Sequence, residues 1–479
     1  MSEFLSRQLG RFVSGLNYSG LPPKVIDKAK ACLLHALAVG MVGSTTPGGK
    51  AAIKLMKEEE SCSRGATILV NGSKATRMGA AFANSQLMRI PQQWDSYRML
   101  IHPGLTVIPA SLATAELESS SGKDLLVAMV AGYEVATRLA SDFIPSVQAH
   151  GFRSSAVFGV FGAAVATGKL LGLNENQMVS AIALAACFAS GLLEGARVRT
   201  QEMEFQEPVA TRNGILAALL AREGVNGAES ALEGEAGFYY AFTGSSKGKL
   251  SFVFSGPDKI DPSKVTEGLG RRYEMLALDF KMYPTSGYNI PVINLMSSLK
   301  KAHKIQPEKV KGITLEMNWL EVLYPTPLFP MPSPPQPAVG SKEYFAAYTC
   351  VQGDYPLYGA PRETFYALER TSPRQARVIL ELMKRITIVG VKERSYFAPK
   401  INVLMKDGRD YHGELTGKEL NWGLEEEIRT ISPLVPWLPV PERQFDELIT
   451  AVKEAESLDR IDRLLKLTQP RRAPRREKS

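Results

Sequence analysis

The sequence predicts a mainly α protein with a smaller α+β part. Three observations carry this. Apolar residues recur at helical spacing through most of residues 1–265 and again from 422 to 467. Between these stretches, KGITLEMN alternates as a strand does, ITIVGVKE reads as another strand, and INVLMKDGRDYHGEL reads as a hairpin turning at Asp407-Gly408. Finally, 479 residues are too many for one core. The expected organisation is an all-helical domain over 1–265, completed by 416–468, a smaller α+β domain over 266–415, and a disordered basic tail over 469–479.

The elements follow in order. Phe4, Leu5, Leu9, Phe12, Val13 and Leu16 make an amphipathic first helix. Pro22 and Pro23 open the second, a position helices tolerate, and Val25, Ala29, Leu33, Leu34 and Leu37 give it one apolar face. His35 on that helix reads as a packed core histidine. An Asn71-Gly72 turn precedes an Ala-rich helix. Residues 123–142 form another helix. The runs AHGFRSSAVFGVFGAAVATGKLLGL and QMVSAIALAACFASGLLEGA are rich in Gly and Ala, which lets helices pack backbone to backbone. Residues 200–227 read as a loop and a helix. After a change of character near residue 265, YPTPLFPMPSPPQP holds seven prolines in fourteen residues and is irregular. SKEYFAAYTCVQGDYPLYG then reads as a helix with an aromatic face.

Composition excludes several classes. The chain is 44% hydrophobic and 22% charged, ordinary for a globular protein. Its net charge is +8, but PRRAPRREKS alone contributes five basic residues and one acid, or +4. The rest is spread thinly and no nucleic-acid motif accompanies it, so no nucleic-acid partner is expected. Cys32, Cys62, Cys187 and Cys350 are far apart without metal spacing, and no metal is expected. Cys32 and Cys187 read as small core residues. No run approaches the roughly 18 apolar residues of a membrane span, and the N-terminus lacks a signal-peptide pattern. No membrane association and a cytoplasmic location are expected. Gly-rich spacing occurs only within helical runs, without a preceding strand, which argues against a dinucleotide fingerprint.

One loop concentrates chemistry. WDSYRMLIHPGLT, from Trp94 to Thr106, holds Asp95, Ser96, Tyr97, Arg98 and His102. Pro103 and Gly104 break the chain before a helix resumes. The loop either delivers an acid and an imidazole to one place, or connects helices with a surface Asp and a satisfied His.

The order of motifs resembles the MmgE/PrpD family, which includes 2-methylcitrate dehydratase and cis-aconitate decarboxylase. HPGLTVIPASLATAE, AGYEVATRLA, GFRSSAVFGVFGAAVATGKLLGL, NGILAALLAREGVNG and DFKMYPTSGY carry the resemblance, which covers nearly the whole chain. It implies a large helical domain, a smaller α+β lid, a site between them, a homodimer, and no metal or organic cofactor. The small-residue helices between 154 and 196 also suggest a dimer surface, internal packing being the other reading.

The resemblance further implies a small organic acid as substrate and roles for particular residues. His102 matches the family's HPxG histidine and would be the acid/base. Asp95 and Ser96 match its acidic and hydroxyl positions. Lys281 matches the lysine of a KxYP loop and would hold a carboxylate; a solvated lysine is the alternative. Tyr348 falls where the family has a tyrosine, with aromatic packing as the alternative. Several positions depart from the pattern. Gln92 replaces an aspartate, Arg153 a histidine, Met203 a lysine, Gln206 a histidine, and Ser286, beside Thr285, a histidine of the decarboxylases. Arg153 could clamp a carboxylate in place of the lost lysine, or pair with Glu204 or Glu207. The leading expectation is a lyase working by proton transfer beside a carboxylate or carbonyl, losing water or carbon dioxide. An isomerase or epimerase, a biosynthetic enzyme with a less acidic substrate, and a non-catalytic binding protein are the other readings.

Overall fold

The computed structural model describes residues 3–198, 200–244, 262–324 and 338–471. The proline-rich run from 325 to 337 and the tail from 472 onward lie outside the described residues.

The chain is mainly helical, with a small sheet region. Its buried apolar side chains gather in two large clusters. One runs from Leu5 to Met282 and takes in Leu424 to Leu467, so the last helices, Leu424–Ile431, Glu442–Lys453 and Asp462–Leu467, return to the first. The other spans Val292 to Met405.

Within the first cluster the small-residue helices approach closely. A Cβ at Gly132, on the helix Gly122–Ala140, would lie 2.7 Å from the Gly162 carbonyl oxygen on the helix Ser154–Leu170. Only glycine allows that spacing. The helix Glu175–Phe188 turns Met178, Ile182 and Ala185 inward. Its last turn rotates outward, so Cys187 is exposed, contrary to the core position expected for it, while Cys32 is buried.

Among the described residues there are eight strands. β1 (Ser61–Thr67) pairs with β2 (Lys74–Ala75), a short ladder whose polar, Gly-containing sequence gave no alternating signal. β3 (Asp95–Ser96) pairs antiparallel with β4 (Asp279–Phe280). β5 (Val310–Asn318), β6 (Ile386–Val391), β7 (Lys400–Met405) and β8 (Asp410–Glu414) form one sheet in the order β6-β5-β7-β8. β5 and β6 are parallel, and the other pairs antiparallel. The helix Ile290–His303 packs under this sheet, where Gly413 meets Leu295 and Leu299. The β7–β8 turn falls at Asp407-Gly408 as expected, with Gly408 at φ +87°.

The β3–β4 ladder matters most for function. It ties the His102 loop to the segment carrying Lys281, and the Lys281 N–H extends it by donating to the Trp94 carbonyl at 3.1 Å. Two stretches more than 180 residues apart are thereby fixed side by side.

Candidate active site

His102 is placed by a tight reversal. Tyr97 and Ile101 bridge each other, and Arg98 and Met99 between them have φ of +43° and +66°. Left-handed backbone at such residues costs on the order of 1–3 kcal/mol each. Anchors hold it: Arg98 Nη1 donates to the Ser141 carbonyl and to Asp142 Oδ1, and the Tyr97 hydroxyl donates to Glu274 Oε2 at 2.6 Å. The chain returns so that His102 Nδ1 lies 2.9 Å from the Asp95 carbonyl oxygen. A carbonyl only accepts, which assigns the proton to Nδ1 and leaves Nε2 as a bare acceptor. The His102 N–H donates to Ser155 Oγ at 3.2 Å.

The Asp95 carboxylate does a different job from its carbonyl. Oδ1 accepts the Gly104 N–H at 3.0 Å and Oδ2 accepts the Tyr133 hydroxyl. A Cβ at Gly104 would lie 2.4 Å from Asp95 Oδ2, so this helix start requires glycine. Burial raises the Asp95 pKa, opposed by the hydrogen bonds from Tyr133 and Gly104. Asp95 therefore orients the imidazole through its backbone and anchors the loop through its side chain.

Trp94 is the hub of the cluster. Its ring lies 4.8 Å from the His102 ring, 4.0 Å from Lys281 Nζ and 5.1 Å from Arg89 Cζ. Lys281 is 2% exposed, and its ammonium forms no ion pair or hydrogen bond among the described residues. Burial, then the charges of Arg89 and Arg153, push its pKa well below the lysine range. Arg153 is 5% exposed and in ion-pair contact with Glu207, whose other oxygen meets Arg89 Nε at 3.2 Å. Burial would raise the Glu207 pKa, but Arg153 and Arg89 outweigh it and hold the carboxylate low. Burial first, then Lys281 and Arg153, push His102 well below the usual histidine value, so the imidazole is neutral near neutral pH. Three cations and one carboxylate thus crowd a neutral histidine.

The other candidates make their contacts as follows. Ser96 Oγ is fully buried and has no hydrogen-bond partner among the described residues. Thr285 Oγ1 accepts from Asn289 Nδ2 at 3.0 Å, and Ser286, half-buried, precedes the turn Gly287–Asn289. Gln206 Nε2 donates to the Leu192 carbonyl. Gln92 is exposed at φ +59°; its neighbour Gln93 points inward and donates to the Met282 and Leu357 carbonyls. Tyr348 packs with Tyr344 and Tyr355 in the second cluster, at ring separations of 5.6 and 4.8 Å.

Sequence reasoning passed over four contributors. Arg89 ends an Ala-rich helix and Trp94 opens the His102 loop, and neither position has a spacing that marks a site. Ser155 lies within a small-residue run. Tyr324 ends the described chain before the proline-rich run; it is half-buried, its ring 6.0 Å from Tyr288, with burial and then the Arg153 charge acting on its phenol.

Behind the loop lies a second polar layer. His35 Nδ1 meets Glu427 Oε1 at 2.9 Å, Trp422 Nε1 donates to Glu427 Oε2, and Lys28 Nζ donates to the carbonyls of Leu278 and Trp422. These bonds fasten the returning C-terminal helices to the site's back wall, and His35 is the satisfied core histidine expected. Among the described residues no His, Cys, Asp and Glu side chains gather as a metal ion requires, and no helix is long and apolar enough to cross a membrane.

The chain is similar in sequence to known proteins. Residues 7–251 match the MmgE/PrpD N-terminal domain. The chain is 29% identical over 293 residues to a cis-aconitate decarboxylase-like protein, oryM, of Aspergillus oryzae, covering 59% of each. It is 26% identical over 322 residues to cis-aconitate decarboxylase of Aspergillus terreus, covering 65% of this chain and 62% of that one. Against cis-aconitate decarboxylase of Homo sapiens it is 25% identical over 485 residues, 96% of this chain and 93% of the relative. The matched stretch spans less than two thirds of either fungal relative.

Proposed function

The chain belongs to the MmgE/PrpD family, and from that premise we propose that it is a lyase that moves a proton beside a carboxylate of a small organic acid and releases water or carbon dioxide. The observation that carries this is a neutral His102, its Nδ1 fixed on the Asp95 carbonyl, set among Arg153, Lys281 and Arg89. The relatives' activity, cis-aconitate decarboxylation, supports a carboxylate substrate.

The residues divide the work. Lys281, which has no carboxylate partner among the described residues, holds the substrate's carboxylate oxygens, and Arg153, already paired with Glu207, adds its charge beside them. Nε2 of His102 takes the proton from the adjacent carbon. The electron pair left behind is stabilised as an enolate-like charge by the same cations. Loss of water then needs that proton returned to the departing hydroxyl. Loss of carbon dioxide breaks the C–C bond instead and leaves its electron pair on carbon, so the imidazole must arrive protonated; the substrate's own negative charge favours that form. Ser96, Tyr348, Thr285 and Ser286 would contribute hydrogen bonds, with Gln92 and Gln206 at the margin. The sheet-bearing region would act as the lid, the working unit would be a cytoplasmic homodimer, and no cofactor would take part. Exposed Leu192, Phe205 and Val209 beside the site suit a subunit contact.

The depressed His102 pKa also favours a second reading, an isomerase. Abstraction by neutral imidazole suits a reaction in which the proton simply returns to carbon. Incubation of cis-aconitate and related hydroxy acids in deuterated water separates the two. The lyase shows either loss of carbon dioxide, with one solvent deuterium on the carbon that held it, or loss of water, which by itself leaves no solvent deuterium in the alkene. Exchange without either loss assigns the isomerase, and neither exchange nor loss with any acid rules out both.

A further inference from the structure

The buried cluster also speaks to how many carboxylates a substrate carries, an inference that rests on the acid-binding reading above. Glu207 lies in the first turn of the helix Gln206–Arg222, is 0% exposed, and is held between Arg89 Nε at 3.2 Å and Arg153 Nη1. Ser155, whose hydroxyl accepts the His102 N–H at 3.2 Å, also helps hold the Glu207 carboxylate low. One carboxylate between two buried arginines, beside the candidate base, is the arrangement a substrate carboxylate would otherwise adopt. The helix N-terminus favours a negative charge at the same place.

We infer that Glu207 fills one carboxylate subsite from within, making this chain selective for dicarboxylates over tricarboxylates. Charge supports it. With Lys281 protonated, as an arriving acid favours, Arg89, Arg153 and Lys281 supply three positive charges and Glu207 one negative, so these four buried groups carry 3 − 1 = +2 beside a neutral His102, with half-buried Glu204 acting on Arg89 from outside them. A dianion balances that charge. A trianion leaves one buried negative charge uncompensated, next to Glu207, and like charges brought together without water are strongly disfavoured. Met203, uncharged in the same segment, adds no further cation.

Calorimetric binding of three matched acids tests this. Glutarate, propane-1,2,3-tricarboxylate and valerate share a five-carbon chain and differ in carboxylate number. The wild-type protein is expected to bind glutarate at least about tenfold more tightly than the other two, given the penalty for unmatched buried charge. Glu207→Gln frees the subsite and should reverse the order of the di- and tricarboxylate, and the tricarboxylate should raise that variant's melting temperature by restoring a counterion to Arg89 and Arg153. A wild type that binds the tricarboxylate as tightly as glutarate overturns the inference while leaving the acid site intact, as does an unchanged order in Glu207→Gln. If Glu207→Gln does not fold, the wild-type order alone decides. If none of the three binds, the acid-binding reading falls, and this inference with it.

Discussion

The Lys281 ammonium lies 4.0 Å from the centroid of the Trp94 ring, and no carboxylate pairs with it among the described residues. Cation–π attraction holds the lysine in place, and the ring's other neighbours are His102 and Arg89. A buried cation without a counterion is costly unless an anion arrives to share the space.

That cost makes acid binding pH-dependent. Burial and the neighbouring arginines hold the Lys281 pKa well below the usual lysine range. An arriving dicarboxylate raises it again, so where the free protein's lysine is neutral, binding takes up a proton. Affinity should therefore fall as pH rises through the depressed Lys281 value. Titration in two buffers of different ionisation enthalpy checks this, and Lys281→Met should lose both the affinity and the proton uptake. Enthalpies that do not depend on the buffer would contradict it.

Gly104→Ala should lower both stability and turnover although residue 104 touches no reacting atom. Its Cβ would sit 2.4 Å from Asp95 Oδ2 and 2.6 Å from the Tyr133 hydroxyl. Overpacking of this kind costs about 1–3 kcal/mol. Any shift of Asp95 also moves the carbonyl that aims His102. A variant with wild-type melting temperature and turnover would show that the loop tolerates the displacement.

Glu321 gives a stability prediction far from the chemistry. It is fully buried, accepts the Phe397 N–H at 2.7 Å, and has a second oxygen without a hydrogen-bond partner among the described residues. Burial, only partly offset by its backbone hydrogen bonds, raises its pKa to about 8. A carboxyl raised above its unfolded value contributes stability that is fully present below the unfolded pKa and is lost as pH rises through the folded one. Stability should decline toward pH 8, with a slope of roughly 1 kcal/mol per pH unit from this one proton. Glu321→Gln, neutral throughout, should flatten that decline in melting temperature; an unchanged slope would place the proton elsewhere.

Much of the fold could be read from the chain because its signals are local. Helical spacing marked the helix Pro23–Thr45 and the small-residue helices, alternation marked β5, and Asp407-Gly408 marked the hairpin. The His102 loop stood out for its mixed polar content. What could not be read is non-local. Nothing near Asp95 announces that Asp279–Phe280 will pair with it, yet that ladder sets Lys281 against Trp94. Arg89 looks like an ordinary basic residue in a helix's last turn, and only the approach of Glu207 gives it a site role. The Arg153 alternative was open in the sequence between Glu204 and Glu207, and packing selects Glu207. Gln92 and Gln93 are adjacent, and the left-handed backbone at Gln92 decides which one faces inward.

The most direct test of the account is the turnover of His102→Asn, with circular dichroism confirming the fold. Asn keeps hydrogen bonding toward the Asp95 carbonyl but shuttles no proton near neutral pH. With the acid the wild type turns over, a folded variant should lose about 10²–10⁴-fold in rate, the usual contribution of a positioned acid or base. A folded His102→Asn protein that retains more than about a tenth of wild-type turnover, far short of that loss, would contradict the claim that His102 moves the proton.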